Sequence, residues 1–223
     1  MNFFRYICIK KTAFTLAEVL ITLGIIGVVA AMTIPNLMTA FAKHRVETQL
    51  VKFYSTMNQA IRMSVADDNG TPEGWIITNK AYTYDEALEV FKTYISPYLK
   101  HDDYKTCIRN SGQNVCVNLI NGGLLTFKID ANGADIVYYL DGDIENHSPK
   151  NSFWFQFAKL VSYEDTSLNS QNFIEPYIFD FDGTREDLKT HSSRGCYKKC
   201  SYCNYCTKLI QLNSWKIPSD YPW

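Results

Sequence analysis

Residues 10–35 read KKTAFTLAEVLITLGIIGVVAAMTIP, and this stretch decides the fold. Residues 14–34 contain one ionisable side chain, Glu18. A helix over these residues, with a rise of about 1.5 Å each, would be about 31 Å long, which matches the hydrocarbon core of a bilayer. Lys11 lies much closer to this stretch than Lys43 does on the other side. The positive charge therefore predicts a single-pass membrane protein with its N-terminus in the cytoplasm and its bulk outside.

An ordinary secretory signal is the alternative interpretation of the same stretch. Such signals have a shorter apolar region of about 7–15 residues, followed by a cleavage site with small residues. Residues 29–31, Val-Ala-Ala, have the composition of such a site, and the mature chain would then start at Met32. The length of the apolar run favours the membrane helix.

Glu18 is the unusual residue of the apolar run. A charge at the centre of a bilayer costs on the order of 3 kcal/mol, so an embedded carboxylate is by default a functional-site hypothesis. Glu18 lies about 6 Å along the helix from Phe14, near the headgroups, so a carboxylate merely tolerated at the interface is the alternative. The helix dipole would also favour a carboxylate in the first turn by about 0.3–1 kcal/mol.

The surrounding residues resemble the leader and N-terminal helix of type IV pilins and type II secretion pseudopilins. The family pattern Phe-Thr-Leu-x-Glu is met by residues 14–18, and a short basic leader ending in a small residue, Ala13, precedes it. Gly27 and Pro35 stand where helices of that family carry a glycine and a helix-bending proline. Ala13 departs from the family, in which glycine is commoner at that position.

The resemblance implies a processing route and a function. A prepilin peptidase would remove the leader, residues 1–13, by cleaving between Ala13 and Phe14, and would methylate the new N-terminal amine of Phe14. The chain would then be a structural subunit of a type IV pilus or type II secretion pseudopilus. It would be held in the inner membrane and assembled by a membrane platform into a periplasmic or extracellular filament. In such filaments the carboxylate at the position of Glu18 pairs with the N-terminal amine of an adjacent subunit.

An amphipathic continuation of the helix follows Pro35. Apolar residues recur there at steps of mostly three to five, with charged residues available to the other face. We therefore expect one helix over residues 15–66, with a membrane or filament-core part at 14–34 and an amphipathic part at 35–66. Pro35 should bend or loosen this helix without ending it. The Asp-Asp-Asn-Gly run at 67–70 should end it.

Residues 67–223 are expected to form a globular head. Thr83 and Glu86 have capping-box spacing, which predicts a helix over 84–96 that is closed by Pro97. Alternating apolar residues predict strands over 115–119, 124–129 and 134–140, joined as an antiparallel meander, with further strand candidates at 153–161 and 177–181. The fold class is therefore α+β and pilin-like, with a long helix packed on a small antiparallel sheet.

Six cysteines remain after removal of the leader, which takes Cys8 with it. In an extracytoplasmic head an even number suggests disulfides, and Cys107 with Cys116 would close a short loop. The other four form a C-x3-C-x2-C-x2-C run, which also suits structural zinc or an iron–sulfur cluster, although the compartment favours disulfides. These four are Cys196, Cys200, Cys203 and Cys206.

Other candidate sites are weaker. Asp141, Asp143 and Glu145 place oxygen atoms at alternating positions as calcium loops do, and residues 180–183, Asp-Phe-Asp-Gly, offer a shorter version. A hydrated turn is the alternative for both. The four histidines form no recognisable nucleophile arrangement with a serine or cysteine, and no phosphate-binding glycine loop is present, so we expect no enzymatic activity and no cofactor beyond a structural calcium ion.

The remaining partner hypotheses concern the C-terminal end. The aromatic tail, residues 215–223, should pack on the sheet and not form a contact surface. Lysines and tyrosines interleave over residues 197–208, which would suit a binding module for DNA or a surface, placed at a filament tip as a minor pilin. The formal charge is −1 and becomes −4 without the leader, so nucleic acid is an unlikely partner.

Overall fold

The structure, a computed structural model, describes residues 14–77, 80, 82–109, 112–120, 122–130, 133–157 and 172–223. The predicted leader with Ala13 lies outside these residues, as do the last four positions of the predicted strand 153–161. The chain divides into two compact units, Met1–His44 and Arg45–Trp223. The second unit holds every described element except the first part of the first helix.

Helix α1 spans Leu16–Ala66, which confirms the predicted long helix. It continues through Pro35, beyond which the Thr39 hydroxyl donates a hydrogen bond of 3.0 Å to the Pro35 carbonyl oxygen. Its apolar N-terminal part is long and apolar enough to cross a membrane.

The C-terminal part of α1 carries the core face of the head. Side chains that recur at helical spacing are buried there: Val46, Leu50, Phe53, Met57 and Ile61. The Phe53 ring stacks on Tyr138 with 4.5 Å between ring centres. The predicted apolar stripe is therefore buried only from Val46 onward, whereas its earlier members Leu37, Met38 and Phe41 are exposed.

Two short helices follow α1. Helix α2 spans Pro72–Trp75 and helix α3 spans Tyr84–Val90, and α3 begins with the predicted capping box of Thr83 and Glu86. The predicted single helix over 84–96 is wrong after Val90, because the chain widens into a π turn at Phe91–Ile95 and tightens into a 3-10 turn at Ser96–Tyr98. Pro97 has no amide to donate, so a regular α-helix cannot run through it.

Six antiparallel strands form one sheet in the order β1-β2-β3-β4-β5-β6. The strands are β1 His101–Arg109, β2 Gly112–Leu119, β3 Leu124–Asp130, β4 Gly133–Tyr139, β5 Ser152–Phe157 and β6 Ile174–Pro176. The predicted meander is confirmed as β2 to β4, and residues 153–157 lie in β5. The predicted strand 177–181 is wrong: β6 ends at Pro176, and the chain turns at Asp180, whose φ is 64°.

The two faces of the sheet carry different clusters of buried side chains. Phe127, Ile136 and Phe155 join the main core with α1. Alternate residues on the opposite face, which we call the outer face, form a second cluster with Val137, Tyr139 and Trp154. The outer face is therefore also buried in part. One long helix covers only one face of a sheet, so other parts of the head must cover the outer face.

The C-terminal segment closes the head through helices α4, Arg185–Thr190, and α5, Cys206–Leu212. The tail after α5 packs on the head, as predicted: Trp215 lies 4.8 Å from the Tyr54 ring, and Tyr221 is buried. Glu47 of α1 accepts hydrogen bonds of 2.9 Å from the Lys216 ammonium group and from the Ile217 amide. The end of the chain is thus bonded to the long helix.

Candidate functional site

The N-terminal end of α1 begins with a capping box. The Glu18 amide donates to the Thr15 hydroxyl at 3.2 Å, and the Glu18 carboxylate accepts from the Thr15 amide at 2.8 Å and from its hydroxyl at 2.9 Å. Such a box satisfies backbone amides that the first helical turn leaves without partners. We did not predict this contact, although the Thr-x-x-Glu spacing of residues 15–18 is the same signal that predicted the box at residues 83–86.

This capping box changes the expected energetics of Glu18. A carboxylate without partners would gain the most from a neighbouring subunit, because it loses hydration without compensation. Glu18 instead has two hydrogen bonds within its own chain. An amine from another copy would have to bind the carboxylate in addition to these bonds or replace them. The free energy gained on pairing is therefore smaller than it would be for a Glu18 carboxylate without hydrogen bonds.

Apolar side chains on the first part of α1 are exposed. The exposed fraction is 86% for Phe14, and the other large apolar residues of the stretch exceed 40%. They are Leu16, Val19, Leu20, Ile21, Leu23, Ile25, Ile26, Val28, Val29, Met32 and Ile34. A Cβ atom added at Gly27 would meet no heavy atom within 4 Å, so this glycine has no packing role within the described chain. The whole surface needs a lipid or protein partner.

Three disulfides join the six head cysteines. Cys107 bonds Cys116 across β1 and β2, which confirms the predicted pair. Cys196 bonds Cys206, and Cys200 bonds Cys203, which resolves the C-terminal run in favour of disulfides. Sulfur atoms of Cys200, Cys203 and Cys206 lie within 4.8 Å of one another. Sulfurs in disulfides are not thiolates, which are the form that binds zinc.

The two acidic loops are internally bonded turns. In the first, the Asp141 carboxylate accepts from the Asp143 amide at 3.0 Å, and the Asp143 carboxylate accepts from the Glu145 amide at 3.1 Å. In the second, Asp182 accepts from both the amide and the hydroxyl of Thr184 at 2.7 Å, and these bonds lower the pKa of Asp182. Aspartate commonly stabilises turns in this way without a metal ion.

The interleaved lysines and tyrosines do not form one exposed surface. Tyr205 is fully buried and donates to the Phe179 carbonyl oxygen at 2.7 Å. Tyr197 is partly buried and donates to the Ser192 carbonyl oxygen at 3.0 Å. Tyr202 is 40% exposed. Of these three tyrosines only Tyr202 is exposed, and its ring also contacts His147 and Trp154, so the segment does not provide the series of exposed rings on which nucleic-acid bases stack.

Comparison with known proteins gives one family. Neither curated proteins nor solved structures yielded a significant match. A family described as a family of unknown function, DUF6613, matches residues 36–223, a span that begins immediately after Pro35 and covers the whole head. The chain belongs to this family of unknown function, DUF6613.

Proposed function

We propose that this protein is a structural subunit of a type IV pilus or type II secretion pseudopilus. The prepilin peptidase removes residues 1–13, and the mature chain is held in the inner membrane by its helix, with the N-terminus inside and the head outside. An assembly platform then moves the helix from lipid into a filament core of other pilin-like subunits. The carboxylate of Glu18 meets the N-terminal amine of a neighbouring copy there.

One observation carries the proposal: the exposed apolar surface on the first part of α1. This surface extends over residues 14–34 and includes a single charged residue. Lipid and a bundle of identical helices are both apolar surroundings, so one sequence can be stable in each. The family resemblance of residues 14–18 and of the leader supports a filament over a permanent anchor.

A substitution of Glu18 tests the assembly step. Glu18→Leu should keep the protein in the membrane and reduce filament formation, because a neighbour's amine would be buried without its partner, at a cost of about 3–5 kcal/mol per contact. Thr22→Leu, one helical turn further along the same segment, adds similar apolar surface and keeps the carboxylate. Both variants are made in the native host, and sheared filaments are compared with the membrane fraction by immunoblot.

The outcomes are distinct. Normal filaments from Glu18→Leu would refute the pairing role, and equal losses in both variants would show that added bulk is responsible. The mass of the mature N-terminal peptide tests processing independently. A methylated Phe14 supports the proposal, whereas a mature chain that begins at Met32 contradicts it.

A second candidate function is a binding subunit at a filament tip. It is favoured by a cavity of about 210 Å³ on the head, which has aromatic walls. A tip subunit occurs in few copies per filament, whereas a main subunit repeats along the whole length. Quantitative mass spectrometry of purified filaments distinguishes the two by the ratio of this chain to the most abundant subunit.

A further inference from the structure

The cavity on the outer face lies between the sheet and the C-terminal segment. Asp135 of β4, Trp154 of β5 and Tyr177 after β6 form the wall on the sheet side. Arg194, Tyr202 and Asn204 form the facing wall. Its volume of about 210 Å³ far exceeds the roughly 10–15 Å³ that a single water needs, so it has room for a small organic ligand.

The facing wall is held in place by disulfides. Tyr202 and Asn204 lie within the loop that the Cys196–Cys206 disulfide closes, and the Cys200–Cys203 disulfide ties the same loop a second time. The base of the loop is fixed by a hydrogen bond of 3.1 Å from the Tyr205 amide to the Arg194 carbonyl oxygen. A wall fixed in this way loses little conformational entropy when a ligand binds.

The sheet wall contributes one accessible polar group, Asp135, and one enclosed polar group, the indole N–H of Trp154. Burial raises the pKa of Asp135 to about 6 while the charge of nearby Arg109 opposes this rise, and no hydrogen bond contributes to it. The indole N–H of Trp154 is buried with no hydrogen-bond partner within the described part of the chain. The Trp154 N–H is enclosed by the protein, whereas Asp135 is only partly buried, so the Asp135 carboxylate is the group that favours a ligand with hydrogen-bond donors.

The charges of the cavity are balanced. Asp135 contributes one negative charge to the lining, and Arg194 contributes one positive charge that is already paired with Asp180 at 3.2 Å. The Arg109 guanidinium group lies 4.5 Å from the centre of the Trp154 ring and is buried. Because neither sign is in excess in the lining, the cavity is not built to select an ion by its charge.

We propose that this cavity binds one neutral sugar ring. The C–H faces of a pyranose are apolar and suit aromatic side chains, here those of Tyr177 and Tyr202, whose rings pack edge-on against the buried Trp154 with 5.8 Å and 6.4 Å between ring centres. Its hydroxyl groups both donate and accept, so they can donate to the Asp135 carboxylate and accept from the Asn204 amide. The inference uses only residues of the head and does not depend on filament assembly.

Binding is tested on the full chain in a zwitterionic detergent without a sugar headgroup. Glucose, galactose, mannose and N-acetylglucosamine are screened by saturation-transfer NMR and titrated by tryptophan fluorescence, with glucuronate and glucosamine as charged counterparts. Asp135→Asn should weaken binding about tenfold or more, since hydrogen bonds to a charged group are among the stronger ones. Tyr202→Ala should weaken it about three- to tenfold through loss of the stacked ring.

A matched control is Tyr104→Ala, because Tyr104 is similarly exposed, at 37% against 40% for Tyr202, and does not line the cavity. Circular dichroism confirms that each variant is folded. Binding of a neutral sugar that both cavity variants weaken and the control does not supports the proposal. No binding of any neutral sugar, tighter binding of glucuronate or glucosamine, or equal binding by all variants would overturn it.

Discussion

Asn58 of α1 provides the sharpest test of how the long helix is joined to the sheet. Its carboxamide oxygen accepts from the Phe173 amide at 2.7 Å and from the Ile174 amide at 3.0 Å, and its NH2 group donates to the Tyr54 carbonyl oxygen at 3.0 Å. Asn58 is 4% exposed. One side chain therefore satisfies the backbone at the start of β6. The substitution Asn58→Leu keeps the size of the side chain and removes all these bonds.

The expected loss of stability follows from the two backbone amides, those of Phe173 and Ile174, that would lose their hydrogen-bond acceptor. A buried donor without a partner costs about 1–3 kcal/mol, so the loss of an acceptor for two amides in Asn58→Leu should lower the free energy of unfolding by about 2–6 kcal/mol. That is a large part of the roughly 5–15 kcal/mol that stabilises a typical domain. Asn118→Leu is the control, since Asn118 is exposed on β2, where such a change should stay within about 0.5 kcal/mol.

Urea unfolding of the full chain in detergent, followed by tryptophan fluorescence, gives both values. Trp215 packs against Tyr54 one turn from Asn58 and so reports on the same region. Hydrogen exchange at the Phe173 and Ile174 amides adds a local readout. If the two variants lose the same stability, or if these amides stay equally protected in Asn58→Leu, the assignment of this junction to Asn58 is wrong.

Two further predictions concern the outer face and the disulfides. Between pH about 4 and 6 the folded chain keeps a proton on Asp135 that the unfolded chain has released, so stability should fall by about 1–3 kcal/mol as pH rises through this window. Asp135→Asn should remove that slope and stabilise the protein at pH 7, which melting temperatures at pH 4 and 7 will check; an unchanged slope would contradict it. Replacing Cys107 and Cys116 by serine opens a loop with a sequence separation of 9 and should cost about 2–3 kcal/mol. Urea unfolding of this variant is compared with that of the unsubstituted chain, both under oxidising conditions that keep the two C-terminal disulfides; equal stability would contradict the prediction.

The elements that the sequence predicted correctly are those with local signals. The capping box at Thr83 and the apolar alternation of β2 to β4 each act within a few residues, so spacing alone indicates them. Strand β1 carried no such signal, because it lies at the edge of the sheet and most of its side chains are exposed. The misplaced strand at 177–181 has apolar residues, but the positive φ of Asp180 turns the chain there.

The cavity could not be predicted, for a different reason. Asp135, Trp154 and Tyr202 are distant in sequence and have no common spacing, and only the sheet order and the C-terminal disulfides bring them together. The N-terminal pattern, by contrast, is a continuous stretch that can be recognised without tertiary structure. The proposed function therefore rests on residues that are adjacent in sequence, whereas the proposed ligand rests on residues that only the fold brings together.

The bonds from Glu47 to Lys216 and Ile217 connect positions that are 169 and 170 residues apart. In a growing chain Glu47 leaves the ribosome well before these partners, because 169 and 170 residues separate them and synthesis proceeds at about 5–20 residues per second. A stop codon between positions 177 and 216 yields a protein that has helix α1 and all six strands but in which Glu47 lacks both of these partners. Only a chain translated past position 217 can form both bonds of Glu47, so this contact distinguishes such copies from shorter ones.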